Sequence, residues 1–228
     1  IVEMGRLIET MGQYQKGNII GGQLVYSVVD EHWQVDPQRL QTVCDAIEQT
    51  PDLHWSIKLG GQVVLGGTKD ALQRAMEVLP TIDGPRPLPF QLPLHSAFHT
   101  PLMIETHRQA LRDLSNLDMR TPKIPMIDGS GHIWRPKACS AQSLLEYTLG
   151  TLVIEPNDCT AMIRTALKHF APDHIILLGP GSNLGGAIGH VLIEERWQGI
   201  ANKEDFIHRQ KTNPFVLAMG RVDQRTQV

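Results

Sequence analysis

His99 is the residue of this chain best placed to do chemistry. It lies in Leu-Pro-Leu-His-Ser-Ala-Phe-His-Thr-Pro-Leu-Met at 92–103, between an apolar run and a helix that Pro101 can start. An imidazole there can be held by the chain on both sides, and general-base work needs fixed geometry as well as a pKa near neutrality. His95, four residues earlier, would form a metal pair with His99 only if both lay on one helix. The segment reads as extended or turning, so the two rings would not face one ion.

The second candidate is Leu-Leu-Gly-Pro-Gly-Ser-Asn-Leu-Gly-Gly at 177–186, a glycine-rich strand-to-helix turn. It admits two readings: an anion cradle at a helix start, or glycines that only permit a tight turn. It lacks Gly-Lys-Ser/Thr, so it is not a P-loop, and its spacing is not that of a dinucleotide fingerprint. Ser182 has Pro180 rather than glycine two places before it, so it is no nucleophile elbow. The stretch Asp128-Gly129-Ser130-Gly131-His132 reads as a turn more than a site. No Gly-x-Ser-x-Gly occurs anywhere in the chain. A histidine base without an activated serine or cysteine is an incomplete machine.

The elements that must position these residues follow from periodicity and caps. The chain opens as a helix already under way, with Ile1, Met4, Leu7, Ile8 and Met11 on one face and no N-cap before them. That opening points to a missing upstream segment. Residues 23–30 are rich in β-formers, Asp36-Pro37 starts a helix, residues 53–59 and 62–65 are strands joined tightly through Gly60-Gly61, and Thr68 caps a second helix. A proline-broken extended run at 86–92 closes the unit. The order β-α-β-β-α-β is the ferredoxin-like arrangement. Beyond it the pattern predicts helices at 101–114, 140–149 and 156–170, a strand near 124–127, a strand at 174–178 and a helix at 183–193.

The expected fold class is therefore α/β: a parallel-sheet, α/β-hydrolase-like catalytic subdomain with an inserted ferredoxin-like subdomain. Residues 1–20 and 93–199 form the catalytic part, 21–92 the insert, and 200–228 a polar, irregular tail that wraps the surface or is mobile.

Composition excludes several classes. With 228 residues, 41% hydrophobic and 20% charged, the chain can bury a sizeable core. Twenty-one Lys and Arg against 24 Asp and Glu, with no basic run, argue against a nucleic-acid surface. Cys44, Cys139 and Cys159 are far apart with no CxxC, which argues against a disulfide framework or zinc site and suits a reducing cytosol. No stretch reads as a membrane span or signal sequence. The expectation is a cytoplasmic protein with no metal and no resident cofactor.

Ala97-Phe98-His99-Thr100-Pro101-Leu102-Met103 resembles the Ala-Phe-His-Ser-Pro-Leu-Met motif of the malonyl-CoA:acyl carrier protein transacylases and related acyltransferase domains. Leu178-Gly179-Pro180-Gly181 followed by Leu184 is similar to that family's Val-Gly-Pro-Gly-x-x-Leu turn. Gly61-Gln62-Val63-Val64-Leu65-Gly66-Gly67 looks like its Pro-Gly-Gln-Val-Val-Ile-x-Gly hairpin, and Glu155-Pro156 falls where it has Ser/Asn-Pro.

The resemblance implies acyl transfer, foremost of malonyl, from coenzyme A to the phosphopantetheine thiol of an acyl carrier protein in fatty acid or polyketide synthesis. His99 would be base and acid, and the acyl-serine would form on a Gly-His-Ser-x-Gly segment upstream of this chain. A backbone carbonyl within 152–155 would hold the imidazole tautomer. The family's carboxylate-binding arginine sits in Val-Glu-Met-Arg-Gly, whereas this chain has Val2-Glu3-Met4-Gly5-Arg6. Arg6 is thus the substrate-binding candidate, turned about 100° from the family's position. The asparagine-rich segment before the hairpin is replaced by Ile57-Lys58-Leu59-Gly60. An inert carrier-docking module and a thioester hydrolase on the same scaffold remain alternatives.

Overall fold

The computed structural model describes residues 2–17, 19–179 and 181–228, excepting the side chains of residues 2–4, 8 and 15–17. The expectations placed on Ile1, on the side chains of Met4 and Ile8, and on Pro180 lie outside the described residues.

The first half builds one layered unit. Strands β1 (Gly22–Ser27), β2 (Leu53–Leu59), β3 (Gln62–Gly67) and β4 (Phe90–Gln91) form an antiparallel sheet in the order β4-β1-β3-β2. Helices α2 (Pro37–Gln49) and α3 (Lys69–Val78) follow β1 and β3. Both helices begin where their caps say. The Asp36 carboxylate accepts from Gln38 and Arg39 N–H, and Thr68 Oγ1 accepts from Ala71 N–H, satisfying donors that a helix start leaves orphaned. Leu24, Tyr26, Val43, Leu53, Leu65, Leu72 and Ala75 fill the space between sheet and helices. The larger of these each contribute about 2 kcal/mol by leaving water.

Strand β7 (Asn157–Asp158) adds to this sheet, parallel to β2, with Ile57 opposite Asn157 and Lys58 opposite Asp158. The sheet therefore continues beyond the expected 21–92 boundary. The extended run at 86–92 narrows to β4, because only Phe90 and Gln91 pair with β1.

The second half packs helices around two smaller cores. α1 (Val2–Gly17) lays Leu7 and Met11 against Ala110 and Leu114 of α4 (Ile104–Leu114), with Leu145 and Leu149 closing the cluster. α5 (Ala141–Glu146) is capped by Ser140, whose hydroxyl accepts from Ser143 N–H. It runs through a π turn, Tyr147–Thr151, into α6 (Leu152–Ile154). α7 (Cys159–Phe170) and α8 (Leu184–Glu194) bury Ile163, Leu167, Ile188, Val191 and Leu192 together.

Two expectations need correction. In place of a broad parallel sheet, β8 (Ile175–Leu177) pairs in parallel with β9 (Val216–Ala218) alone among the described residues, and the strand at 126–127 (β5) turns back on β6 (Ile133–Trp134) as an antiparallel hairpin. The tail is not loose either. It forms α9 (Lys203–Thr212), β9 and α10 (Val222–Arg225), and sends Phe206, Phe215 and Val216 into the α7–α8 core. α9 buries only Phe206, and β9 is three residues with every side chain buried. Neither leaves a periodic signal in sequence. No helix among the described residues is long and apolar enough to cross a membrane.

Candidate functional site

His99 is fixed at the end of a helix that a proline stops. The α6 ladder runs as far as Glu155, whose N–H reaches the Thr151 carbonyl at 2.9 Å. The next donor in line for Leu152 would be residue 156, but Pro156 has no N–H. Glu155 is extended at φ −115°, ψ 152°, as the residue before proline prefers. The Leu152 and Val153 carbonyls are thus left for other donors, and His99 takes both. Its Nδ1 lies 2.5 Å from Leu152 O and its backbone N–H donates to Val153 O at 2.9 Å.

A carbonyl can only accept, so the Leu152 contact requires the proton on Nδ1. Neutral His99 then has its lone pair on Nε2, the nitrogen able to accept a proton from a reacting group. Burial pushes the His99 pKa below its ordinary value, while the Leu152 bond acts in the opposite direction. The negative end of the helix beside it also favours the imidazolium once a proton arrives. A base neutral at pH 7 and supported when charged is what proton shuttling requires.

The backbone of His99 is left-handed, at φ +62°, uncommon for a side-chain-bearing residue. Around it, Thr100 Oγ1 donates to Ala97 O at 2.5 Å, Ser96 Oγ accepts from Ile20 N–H at 3.2 Å, and Ala97 N–H donates to Ile20 O. Gly66 lets this segment settle on the sheet: a Cβ there would stand 2.6 Å from Thr100 Cγ2.

The other candidates lie elsewhere. Arg6 donates from Nη2 to Asn116 Oδ1 at 2.9 Å, beyond the C-terminal end of α4, whereas His99 precedes its N-terminal end. Eleven helical residues, about 16 Å, separate those ends. His95 is exposed and turns its Nδ1 to Pro93 O, away from any shared site with His99. Among the described residues no group of three or more His, Cys, Asp or Glu could hold a metal ion. In the glycine turn Gly179 takes φ +99°, Gly185 N–H returns to Ser182 O, and a cavity of about 280 Å³ is lined by Leu177, Leu178, Gly179, Gly181, Asn183 and Leu184. Asn183 makes no side-chain cap on α8. Asp128 is a structural carboxylate, accepting from Ser130, His132 and Trp134.

Sequence reasoning passed over two histidines. His107 sets its Nδ1 2.7 Å from Leu149 O, within the π turn, and so braces the helix that carries Leu152. His190, on α8, accepts Gly61 N–H on its Nδ1 at 2.8 Å. A lone histidine on a helix has no motif to announce it, and both partners are backbone groups more than 40 residues away.

This arrangement of sheets and helices is the fold of the malonyl-CoA:acyl carrier protein transacylases. The solved enzyme of Coxiella burnetii superposes with a TM-score of 0.69 at 15% identity, over 99% of this chain and 62% of its own. That of Synechocystis sp. PCC 6803 gives 0.67 at 13% identity, over 97% of this chain and 63% of its own. A malonyl-transacylase solved in complex with its type II polyketide synthase acyl-carrier protein gives 0.63 at 19% identity, over 82% and 58%. The chain thus spans roughly three fifths of the length of these structures. No protein-family model matches it, and no curated protein does.

Proposed function

We propose that this chain is the histidine-bearing part of an acyl-CoA:acyl carrier protein acyltransferase with an inserted ferredoxin-like subdomain, working through an acyl-serine carried outside these 228 residues. The observation that carries the reading is the His99 ring, its Nδ1–H committed to Leu152 O and its Nε2 left as the base nitrogen. The edge of β8 supports the second half of it: Ile176, Leu178 and Leu184 are exposed there, Leu178 to 86%, beside a purely apolar cavity of about 220 Å³. Such a surface suits further strands.

In the reaction, His99 Nε2 takes the serine proton as the serine oxygen attacks the thioester carbonyl. The tetrahedral intermediate collapses, and the coenzyme A thiol leaves with that proton. The phosphopantetheine thiol of the carrier then yields its proton to Nε2 and attacks the acyl-serine carbonyl. The serine oxygen departs and recovers the proton, leaving His99 neutral. Arg6 is the candidate for binding a free malonyl carboxylate, as a bidentate partner, and that role requires it to leave Asn116, beyond the far end of α4, and come to the His99 end of that helix.

The test is acyl transfer from labelled malonyl-CoA to a holo carrier protein, followed by intact mass, in the polypeptide that supplies the serine. His99→Ala is expected to slow transfer by about 10²- to 10⁴-fold. Near-normal turnover overturns the assignment. Arg6→Ala should cost malonyl transfer far more than acetyl transfer, and equal losses remove Arg6 from the site. Release of free acid without carrier loading favours the hydrolase, and the absence of both reactions favours an inert docking module.

A further inference from the structure

Two buried polar side chains of the first-half sheet have the His99 segment as their target. Ser56 is wholly buried and Gln23 is 4% exposed. Ser56 Oγ donates to Phe98 O at 2.8 Å; Gln23 Nε2 donates to Ser56 Oγ at 2.8 Å and reaches Phe98 O at 3.4 Å. The local backbone aims them. The β2–β3 register shifts between Trp55 and Ile57, leaving Ser56 as the extra residue, and a bulge of this kind redirects a side chain.

The acceptor is the important point. The Phe98 carbonyl and the His99 N–H belong to one peptide unit, and that unit is bonded on both sides. Ser56 and Gln23 hold its oxygen from β2 and β1, while Val153 O holds its N–H from the end of α6. A left-handed φ on a residue with a side chain persists where the surroundings over-determine it. With the peptide plane pinned, the His99 Cα is held where its ring can set Nδ1 against Leu152 O.

We infer that Gln23 and Ser56 are positioning residues for His99, fixing the Phe98–His99 peptide so that the imidazole keeps its proton on Nδ1 and presents Nε2 as the base. The inference rests on the reading of His99 as the base, but its test does not need acyl transfer.

Long-range ¹H–¹⁵N spectra of the 228-residue chain report the His99 tautomer directly. The parent chain should show one tautomer, with the proton on Nδ1. Ser56→Ala and Gln23→Met should each raise the Nε2–H share several-fold and speed His99 amide exchange by about tenfold, Ser56→Ala the more. Tyr26→Phe is the control: it deletes a buried bond in the same core, Tyr26 Oη to Pro80 O at 3.0 Å, and should leave the His99 tautomer unchanged.

An unchanged tautomer in folded Ser56→Ala and Gln23→Met overturns the inference. An equal change in Tyr26→Phe also overturns it, since the effect would then be general loosening. If neither variant folds, the pair serves folding and the inference falls. If the tautomer responds as expected while the serine-supplied protein transfers no acyl group, the transfer reading fails and the positioning stands.

Discussion

His99 and His190 are bonded through the same ring atom with opposite polarity. His99 Nδ1 meets a carbonyl, Leu152 O, and must carry the proton; His190 Nδ1 meets an amide, Gly61 N–H, and must not. The neutral His190 ring is therefore protonated on Nε2, which is buried without a hydrogen-bond partner among the described residues. Trp33 stands edge-on to it, 4.4 Å between centroids. Burial pushes the His190 pKa down to about 4. A second proton would have to enter at Nδ1, against the Gly61 N–H. His99 can gain a proton and keep its hydrogen bond, whereas His190 can gain one only by giving its bond up. What suits a histidine for proton transfer here is thus the kind of backbone group it faces, more than its depth of burial.

The largest expected contrast between the two is catalytic. Where His99→Ala costs about 10²- to 10⁴-fold in carrier acylation, His190→Asn should stay within a few-fold, because an amide oxygen can still accept Gly61 N–H. Comparable losses at both positions would erase the distinction.

Next in size is acid sensitivity, where His190 should dominate. Above its unfolded value of 6.5 the ring is neutral in both states; below it the unfolded chain takes up a proton that the folded site refuses. Stability should therefore fall as the pH drops from 6.5 towards about 4, by about 3 kcal/mol in all. Urea titrations across that range should show the loss in the parent chain and much less of it in His190→Asn. His99 acts with the same sign, and an equal effect of its removal would contradict the ranking.

Smaller still is the effect of crowding each site. A Cβ at Gly61 would lie 2.6 Å from Val29 Cγ1 and 2.8 Å from His190 Nδ1, and one at Gly66 would lie 2.6 Å from Thr100 Cγ2. Each alanine should cost about 1–3 kcal/mol in thermal unfolding. Only Gly66→Ala should disturb the His99 spectrum, and a reversed pattern would mean that the two regions are not independent. The smallest change comes from Pro156→Ala, which restores a donor four residues beyond Leu152. Stability should move by less than about 1 kcal/mol, while the His99 tautomer becomes mixed as the helix competes for its carbonyl.

Much of this fold is legible in the sequence where a local rule decides the structure. Asp36-Pro37, Thr68 and Ser140 mark helix starts that the structure keeps, and Gly60-Gly61 marks the hairpin. The close docking of that hairpin on α8 is not legible, although a Cβ at Gly60 would lie 2.4 Å from Ala187 O. His99 was readable from its setting, and the 152–155 stretch from a resemblance. Gln23 and Ser56 were not, since 33 residues separate two side chains whose common acceptor is a backbone atom. The 200–228 tail failed for a related reason: β9 exists because β8 offers it a partner, and no pattern within three residues reveals that.

The pairing of β7 with β2 has a mechanical consequence. β7 follows directly on the turn that supplies the Leu152 carbonyl, and it is riveted to the first-half sheet by strand bonds, by Lys58 Nζ 3.4 Å from Asp158, and by Gly60 N–H on Thr160 Oγ1 at 2.9 Å. A hinge through this seam would have to tear a sheet. Any motion of β2 relative to the turn that carries Leu152 would therefore have to break these bonds together.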